Sequence, residues 1–334
     1  MNIQPVDKLE IQVLVDNVTD SLSSVPDNVT HEMAYLKKNG MKELSGECLC
    51  CGAHGLSLLI TAFKGNKAHT LLFDAGPEGE VFKRNVNKLN AKIDAVEAVV
   101  LSHGHWDHAG GFLAAVDLMK NNNNSKEVIF HLNQGMFYQR ATTTHHGEVF
   151  PFKKIPSIDE LKQKGANVVC SDEARFLLDD YFYLSGEIPR VTSYEKGFPG
   201  HVRQLQNGEW QDDQWIMDER FLVVNVRDKG LIVFSACSHA GIINVLKHAQ
   251  ELFPTVPIYA VMGGFHLSGH AVEKIIPQTV NDMKQFNLEM IVPAHCTGWR
   301  AVNALGNMFG DKVVPSAVGR AYSFGKDCHP NALP

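Results

Sequence analysis

No apolar run in this 334-residue chain approaches the ~18 residues that a membrane helix needs. Met1 to Asp16 lacks the basic-then-apolar layout of a secretory signal. Charge of one sign is scarce as well. The 31 basic and 37 acidic residues leave a net charge of −6, which argues against nucleic acid or an anionic membrane as the main partner. No segment repeats at a fixed period. Cysteines number seven, an odd and unevenly spread set, without the paired spacings of a secreted disulfide framework. These absences make a reduced, cytoplasmic protein acting on a small molecule the expectation. Association with further copies of itself stays open.

Histidine, in contrast, is plentiful, with 16 residues. Its placement beside glycines and at the ends of apolar runs carries more information than its number. The length allows two domains or one large α/β domain, and a 44% hydrophobic content is enough to bury a large core.

Alternation and branched side chains predict strands over 9–16, 56–63 and 70–73, the last two forming a hairpin. Helical spacing appears over 81–89, and a short buried strand over 96–101 precedes a helix over 110–120. The asparagine run from Asn121 to Asn124 reads as an exposed turn, and 128–132 as a strand. The pattern from 133 to 218 is irregular and aromatic, as expected of an insertion that shapes a pocket. Regular order returns with strands over 221–226, 231–235, 258–262 and 290–293. Helices are expected over 242–252, 271–286, with a break near Pro277, and 301–309.

Three apolar strands each end in a histidine-bearing loop: Ser102-His103-Gly104-His105-Trp106-Asp107-His108, Ala236-Cys237-Ser238-His239, and Ala294-His295. Rigid strands aim such loops at one edge of a sheet, where ligand sites collect. His103 and His105 are two apart, so in extended backbone both rings point the same way and can share an ion. Asp107 and His108 lie at the turn into the next helix and can face a second ion. Imidazole with carboxylate suits zinc, and also iron or manganese. His239 is the candidate to complete the His103 and His105 site, and His295 the one with Asp107 and His108. Cys237 is an alternative, as a bridging or second-site thiolate. His266 follows another strand as a ligand or a catalytic, substrate-facing group. Asp74, also at a strand end, is placed to orient a ligand histidine. Helix capping by Asp107 would explain that residue alone and leave three histidines idle.

The His-x-His-x-Asp-His run resembles the signature of the metallo-β-lactamase-fold superfamily. Within it the chain most resembles the group named for the methanogen 7,8-dihydropterin-6-methyl-4-(β-D-ribofuranosyl)-aminobenzene-5′-phosphate synthase. The matching stretches are His54 to Ser57, Leu71 to Gly76, Leu101 to Gly111, Gly186 to Arg190, Cys237 to Ile242, Gly263 to Leu267, and His295 to Gly298. The resemblance implies one domain over 1–334, a four-layered αββα sandwich with one or two metal ions at one edge between the sheets. It supports His103, His105, Asp107, His108 and His295 as ligands, and makes His54 and Thr297 candidate substrate contacts. Where many members carry a bridging aspartate, this chain has Ala236-Cys237-Ser238-His239.

Metal-activated water predicts a hydrolase of a small polar ester, lactone, amide or phosphoester, with Asp107 able to orient the nucleophile. The closer group implies instead a condensation of a pterin diphosphate with an aromatic amine, in which Arg190 and Arg300 would meet phosphate. A non-catalytic metal- or ligand-binding protein would be expected to have lost ligands, and the run is complete. Cys48, Cys50 and Cys51 read as loop thiols, with Cys328 the candidate partner for any further role. His145 and His146 read as exposed.

Overall fold

A computed structural model describes residues 3–121, 128–144 and 146–325. Two large sheets lie face to face. One has eight strands and the other seven, and a separate four-stranded sheet stands apart from both.

The alternation of side chains along each strand builds the layers. In Ser57–Lys64, Leu58, Ile60 and Ala62 face the opposite sheet while Leu59 faces the helices. In Gly230–Ser235, Ile232 and Phe234 point inward while Leu231 and Val233 point toward the other helical layer. The result is one apolar layer between the sheets and one between each sheet and its helices. This is the αββα order that the sequence resemblance implied.

Parallel pairing decides where loops collect. In the eight-stranded sheet, Lys67–Phe73, Val96–Val100, Ile129–Leu132 and Asn167–Cys170 run parallel. In the other, Gly230–Ser235, Ile258–Gly264 and Met290–Ala294 do the same. The helices Gly79–Leu89, Phe112–Asn121, Ile242–Leu252 and Ile276–Met283 make the crossovers between successive strands. Each return through a helix brings the next strand's carboxyl end to the same edge.

Two expectations change, and one strand is new. The helix expected over 271–286 is three pieces, the 3-10 turns Glu273–Ile275 and Lys284–Phe286 flanking Ile276–Met283. The first division falls between Ile275 and Ile276, beside Pro277 as expected, and Pro277 sits in the first turn of the α-helix, where no amide hydrogen is needed. Ala321–Gly325, which no pattern announced, pairs antiparallel with Lys8–Val15.

The span 133–218 is not one insertion. Asn167–Cys170 extends the eight-stranded sheet, while Arg175–Leu177 and Phe182–Leu184 extend the seven-stranded one. What stands apart is the sheet of Arg140–Thr143, Val149–Pro151, His201–Gln204 and Trp210–Asp212. Strands this short carry too little alternation to be read. Cys328, His145 and the turn from Asn122 onward lie outside the described residues. Among the described residues no helix is long and apolar enough to cross a membrane.

Candidate metal centre

The carboxyl ends of the parallel strands deliver Asp74, the 102–108 loop, Cys237 and His239, His266, and His295 to one edge between the sheets. The backbone bends sharply there. Asp74, Ser238, His266 and His295 have φ of 59°, 55°, 44° and 47°. Non-glycine residues in this left-handed region cost about 1–3 kcal/mol each and cluster at functional sites.

His103, His105 and His239 form the first group, and all three are buried. His103 Nε2 is 3.0 Å from His105 Nδ1 and 3.2 Å from His239 Nε2. Hydrogen bonding fixes which nitrogen of His103 is bare. The Ser102 hydroxyl donates to Asp74 Oδ2 at 2.7 Å, so Ser102 Oγ accepts from His103 Nδ1 at 2.9 Å. The lone pair of His103 is therefore on Nε2, pointing at its two neighbours. Burial, reinforced by neighbouring imidazoles, holds all three rings well below the usual histidine pKa, and the neutral ring is the one that binds metal. A tetrahedral cation ~2.0–2.1 Å from each nitrogen would separate them by ~3.3 Å, close to the spacing present. The donor set fits a divalent ion.

The second group surrounds Asp107. Its Oδ2 is 3.3 Å from His54 Nε2, 3.4 Å from His295 Nε2 and 3.8 Å from His108 Nε2. Burial alone would raise the Asp107 pKa, but His108, His295 and His54 together hold it well below the carboxylate range. His108 Nδ1 donates to Asp74 Oδ2 at 2.7 Å, which turns Nε2 toward Cys237 Sγ at 3.2 Å. Burial opposes charge on His108, yet Asp107 and Asp74 outweigh it and lift its pKa to about 9. The site thus favours a positive charge at this point, as a proton or as a cation. Cys237 stands between the groups, within ligand range of His103 with His108, of His239 with His266, and of His295 with Cys296.

Both groups open onto a cavity of about 440 Å³. Trp106, Phe152 and Phe198 supply its apolar wall, and His54, His201 and His266 its polar one. Among the described residues neither ring nitrogen of His266 has a hydrogen-bond partner, although Cys296 lies beside the ring.

Three expected substrate contacts are turned elsewhere. Arg190 donates to the carbonyls of Ile188 and Trp215. Arg300 lies over the Trp299 ring and beside Glu273. Thr297 is buried, accepting from Phe265 N and donating to Ala294 O. None of them lines the cavity, and among the described residues neither does any lysine or arginine. Among the described residues, Cys48, Cys50 and Cys51 join no ligand group, and burial with Glu32 pushes the Cys50 thiol pKa up. His146 is exposed.

Sequence reasoning missed several residues. Asn17 lies just past the strand Lys8–Val15 and touches both His54 and His295. The strand-end argument that found the histidines would have reached it. Phe152, Phe198 and His201 belong to the aromatic segment expected to shape the pocket, but nothing in its pattern singled out these three. Glu219 accepts from His239 N and Ala240 N, both at 2.7 Å, and so fixes the loop of the third imidazole.

A helix-flanked double sheet with such a cluster at one edge is the metallo-β-lactamase fold. Residues 53–118 match the Metallo-beta-lactamase superfamily, and the chain carries a domain of that superfamily. It is 29% identical over 273 residues to 7,8-dihydropterin-6-methyl-4-(beta-D-ribofuranosyl)-aminobenzene-5'-phosphate synthase of Methanocaldococcus jannaschii, covering 81% of this chain and 90% of that one. A solved metal-dependent hydrolase of the beta-lactamase superfamily is 26% identical, with a TM-score of 0.67 over 95% of this chain and 100% of the other. The fold is shared also with YhfI of Bacillus subtilis, at 11% identity and TM-score 0.51 over 95% of this chain and 100% of that one.

Proposed function

We propose that this protein is a metal-dependent hydrolase of a small polar ester, lactone or phosphoester. His103, His105 and His239 would hold one divalent ion. Asp107, His108 and His295 would hold the second, with Cys237 between them. The carrying observation is the convergence of His103 Nε2 with nitrogens of His105 and His239 at 3.0 and 3.2 Å, its other nitrogen committed to Ser102. Imidazole with a thiolate suits zinc ahead of iron or manganese.

Such ions lower the pKa of water from ~15.7 to about 7 and stabilise negative charge on a carbonyl or phosphoryl oxygen. The chain's own residues do the rest. Asp107 orients the attacking water by accepting its hydrogen. His266 faces the cavity with unpartnered nitrogens and is placed to pass a proton to the leaving oxygen. Phe152, Phe198 and Trp106 exclude bulk water from that transfer. The similar solved chain described as a metal-dependent hydrolase supports this reading.

A condensation on a pterin diphosphate is the second reading, favoured by the 29% identical synthase. Arg190 and Arg300 have no part in it, since both are engaged away from the cavity. Metal analysis of the purified protein, with a panel of lactone, phosphodiester and thioester substrates, separates the two. Metal-dependent turnover of any of them is the expected result. Tight binding of a pterin diphosphate, with none of the panel cleaved, would overturn the hydrolase.

A further inference from the structure

The side-chain amide of Asn17 makes four hydrogen bonds, and they leave it only one orientation. Its Oδ1 accepts from the Gly55 amide at 3.0 Å, and its Nδ2 donates to the His295 carbonyl at 3.2 Å. A backbone N–H can only donate and a backbone carbonyl can only accept. These two contacts therefore fix which end of the amide is oxygen. The remaining two contacts are to imidazoles. Oδ1 lies 2.9 Å from His295 Nδ1, and Nδ2 lies 3.1 Å from His54 Nδ1.

One amide thus gives two histidines opposite instructions. His295 must carry a hydrogen on Nδ1 to meet an oxygen, so Nε2 is the nitrogen it can lend to a cation. His54 must present a bare Nδ1 to meet an N–H, which places its hydrogen on Nε2. Both Nε2 atoms face the same Asp107 oxygen, at 3.4 Å and 3.3 Å. The two rings look alike in position and differ in what they offer.

We propose that Asn17 is a positioning residue that sorts this pair, fixing His295 as a metal ligand and His54 as a hydrogen-bond donor that takes no metal. The ligand half rests on the metal reading above, whereas the tautomer half does not. His54 lines the cavity, and its side chain is 58% exposed. Its Nε2 hydrogen is therefore available to Asp107 and to an oxygen of a small-molecule substrate beside it.

The test reads ring protonation directly, by long-range proton–nitrogen correlation on histidine-labelled protein in alkaline buffer, with and without zinc. The rings are assigned by the signals lost in His54→Gln and His295→Gln. The expected result is hydrogen on Nε2 of His54 and on Nδ1 of His295 in the metal-free protein. With zinc, of this pair only His295 should show an Nε2 resonance shifted as a ligand's is. Asn17→Asp keeps the acceptor for His295 and removes the donor to His54. It should place a hydrogen on His54 Nδ1, which is bare in the unaltered protein, while retaining zinc. Asn17→Ala removes both partners and should weaken zinc by roughly 10- to 100-fold. Hydrogen on Nδ1 of His54 in the unaltered protein overturns the proposal. So does a His54 tautomer unmoved by Asn17→Asp, or coordination of zinc by His54. Failure of the protein to bind zinc at all would instead overturn the metal reading, with the tautomers still measured.

Discussion

The Gly104 amide donates to Asp218 Oδ2 at 2.8 Å, across 114 residues of sequence. Arg140 Nη1 donates to the carbonyl of the same glycine at 3.3 Å and pairs with Asp218. The peptide between two candidate ligands, His103 and His105, is thereby held on both sides by an ion pair outside the metal loop.

Gly104 itself has no room for a side chain. A Cβ there would lie 2.1 Å from the Met136 carbonyl oxygen and 2.5 Å from Met136 Cα. Both contacts are backbone and cannot swing aside. Gly104→Ala should displace the His103 and His105 loop, cost about 1–3 kcal/mol of stability, and lose zinc from the first group. Zinc stoichiometry and thermal unfolding in chelator check both effects, and unchanged zinc content would contradict this account of the loop.

The Arg140 and Asp218 side chains are only 3% and 2% exposed. Removing one partner strands a buried charge, although Asp213, 2.8 Å from Arg140, still offers partial compensation. Asp218→Ala is expected to destabilise by about 3 kcal/mol, measured by urea unfolding. A change below about 1 kcal/mol would show the pair to be dispensable.

His131 supplies a pH dependence away from the ligands. Burial first, then Arg175 and Arg220, pushes its pKa down from 6.5 to about 4. Between those values the unfolded chain binds a proton that the folded chain refuses. Stability from this group is therefore complete above 6.5 and is lost as pH falls toward about 4. The linkage amounts to about 3 kcal/mol at most. His131→Gln should flatten the acid limb of a stability-against-pH curve by up to that amount. An unchanged slope would assign acid sensitivity to other groups.

Cys237 Sγ lies 3.2 Å from His108 Nε2, between the two candidate ligand groups. Cobalt-loaded protein should then show a thiolate-to-metal absorption band in the near ultraviolet. Cys237→Ser is expected to abolish the band, and Cys170→Ser, at an exposed cysteine, to keep it. A band that survives in Cys237→Ser would move the thiolate role to Cys296, whose sulfur is 3.5 Å away.

The legible parts of the site were those written in short range. His103, His105, Asp107 and His108 share one loop, and the strand Val96–Val100 before it reads from its apolar run. His239, His266 and His295 each follow a strand of the same kind, so one argument reached all three. Asn17 also follows a strand end, that of Lys8–Val15, but an amide side chain does not mark itself as a site residue as an imidazole does. Arg190, Thr297 and Arg300 were plausible by type, but a side chain's type does not say where it points.

The alternation that makes three apolar layers, and the residues at the strand ends, could be read one segment at a time. Both follow from local periodicity, which each strand carries within its own length. The meeting of Asn17 with His54 and His295, the reach of Arg140 to Gly104, and the place of Cys237 between two candidate ligand groups arise from packing alone. Those contacts join segments from different sheets, and their geometry is set by how the sheets face each other. No single segment of the chain encodes that relation.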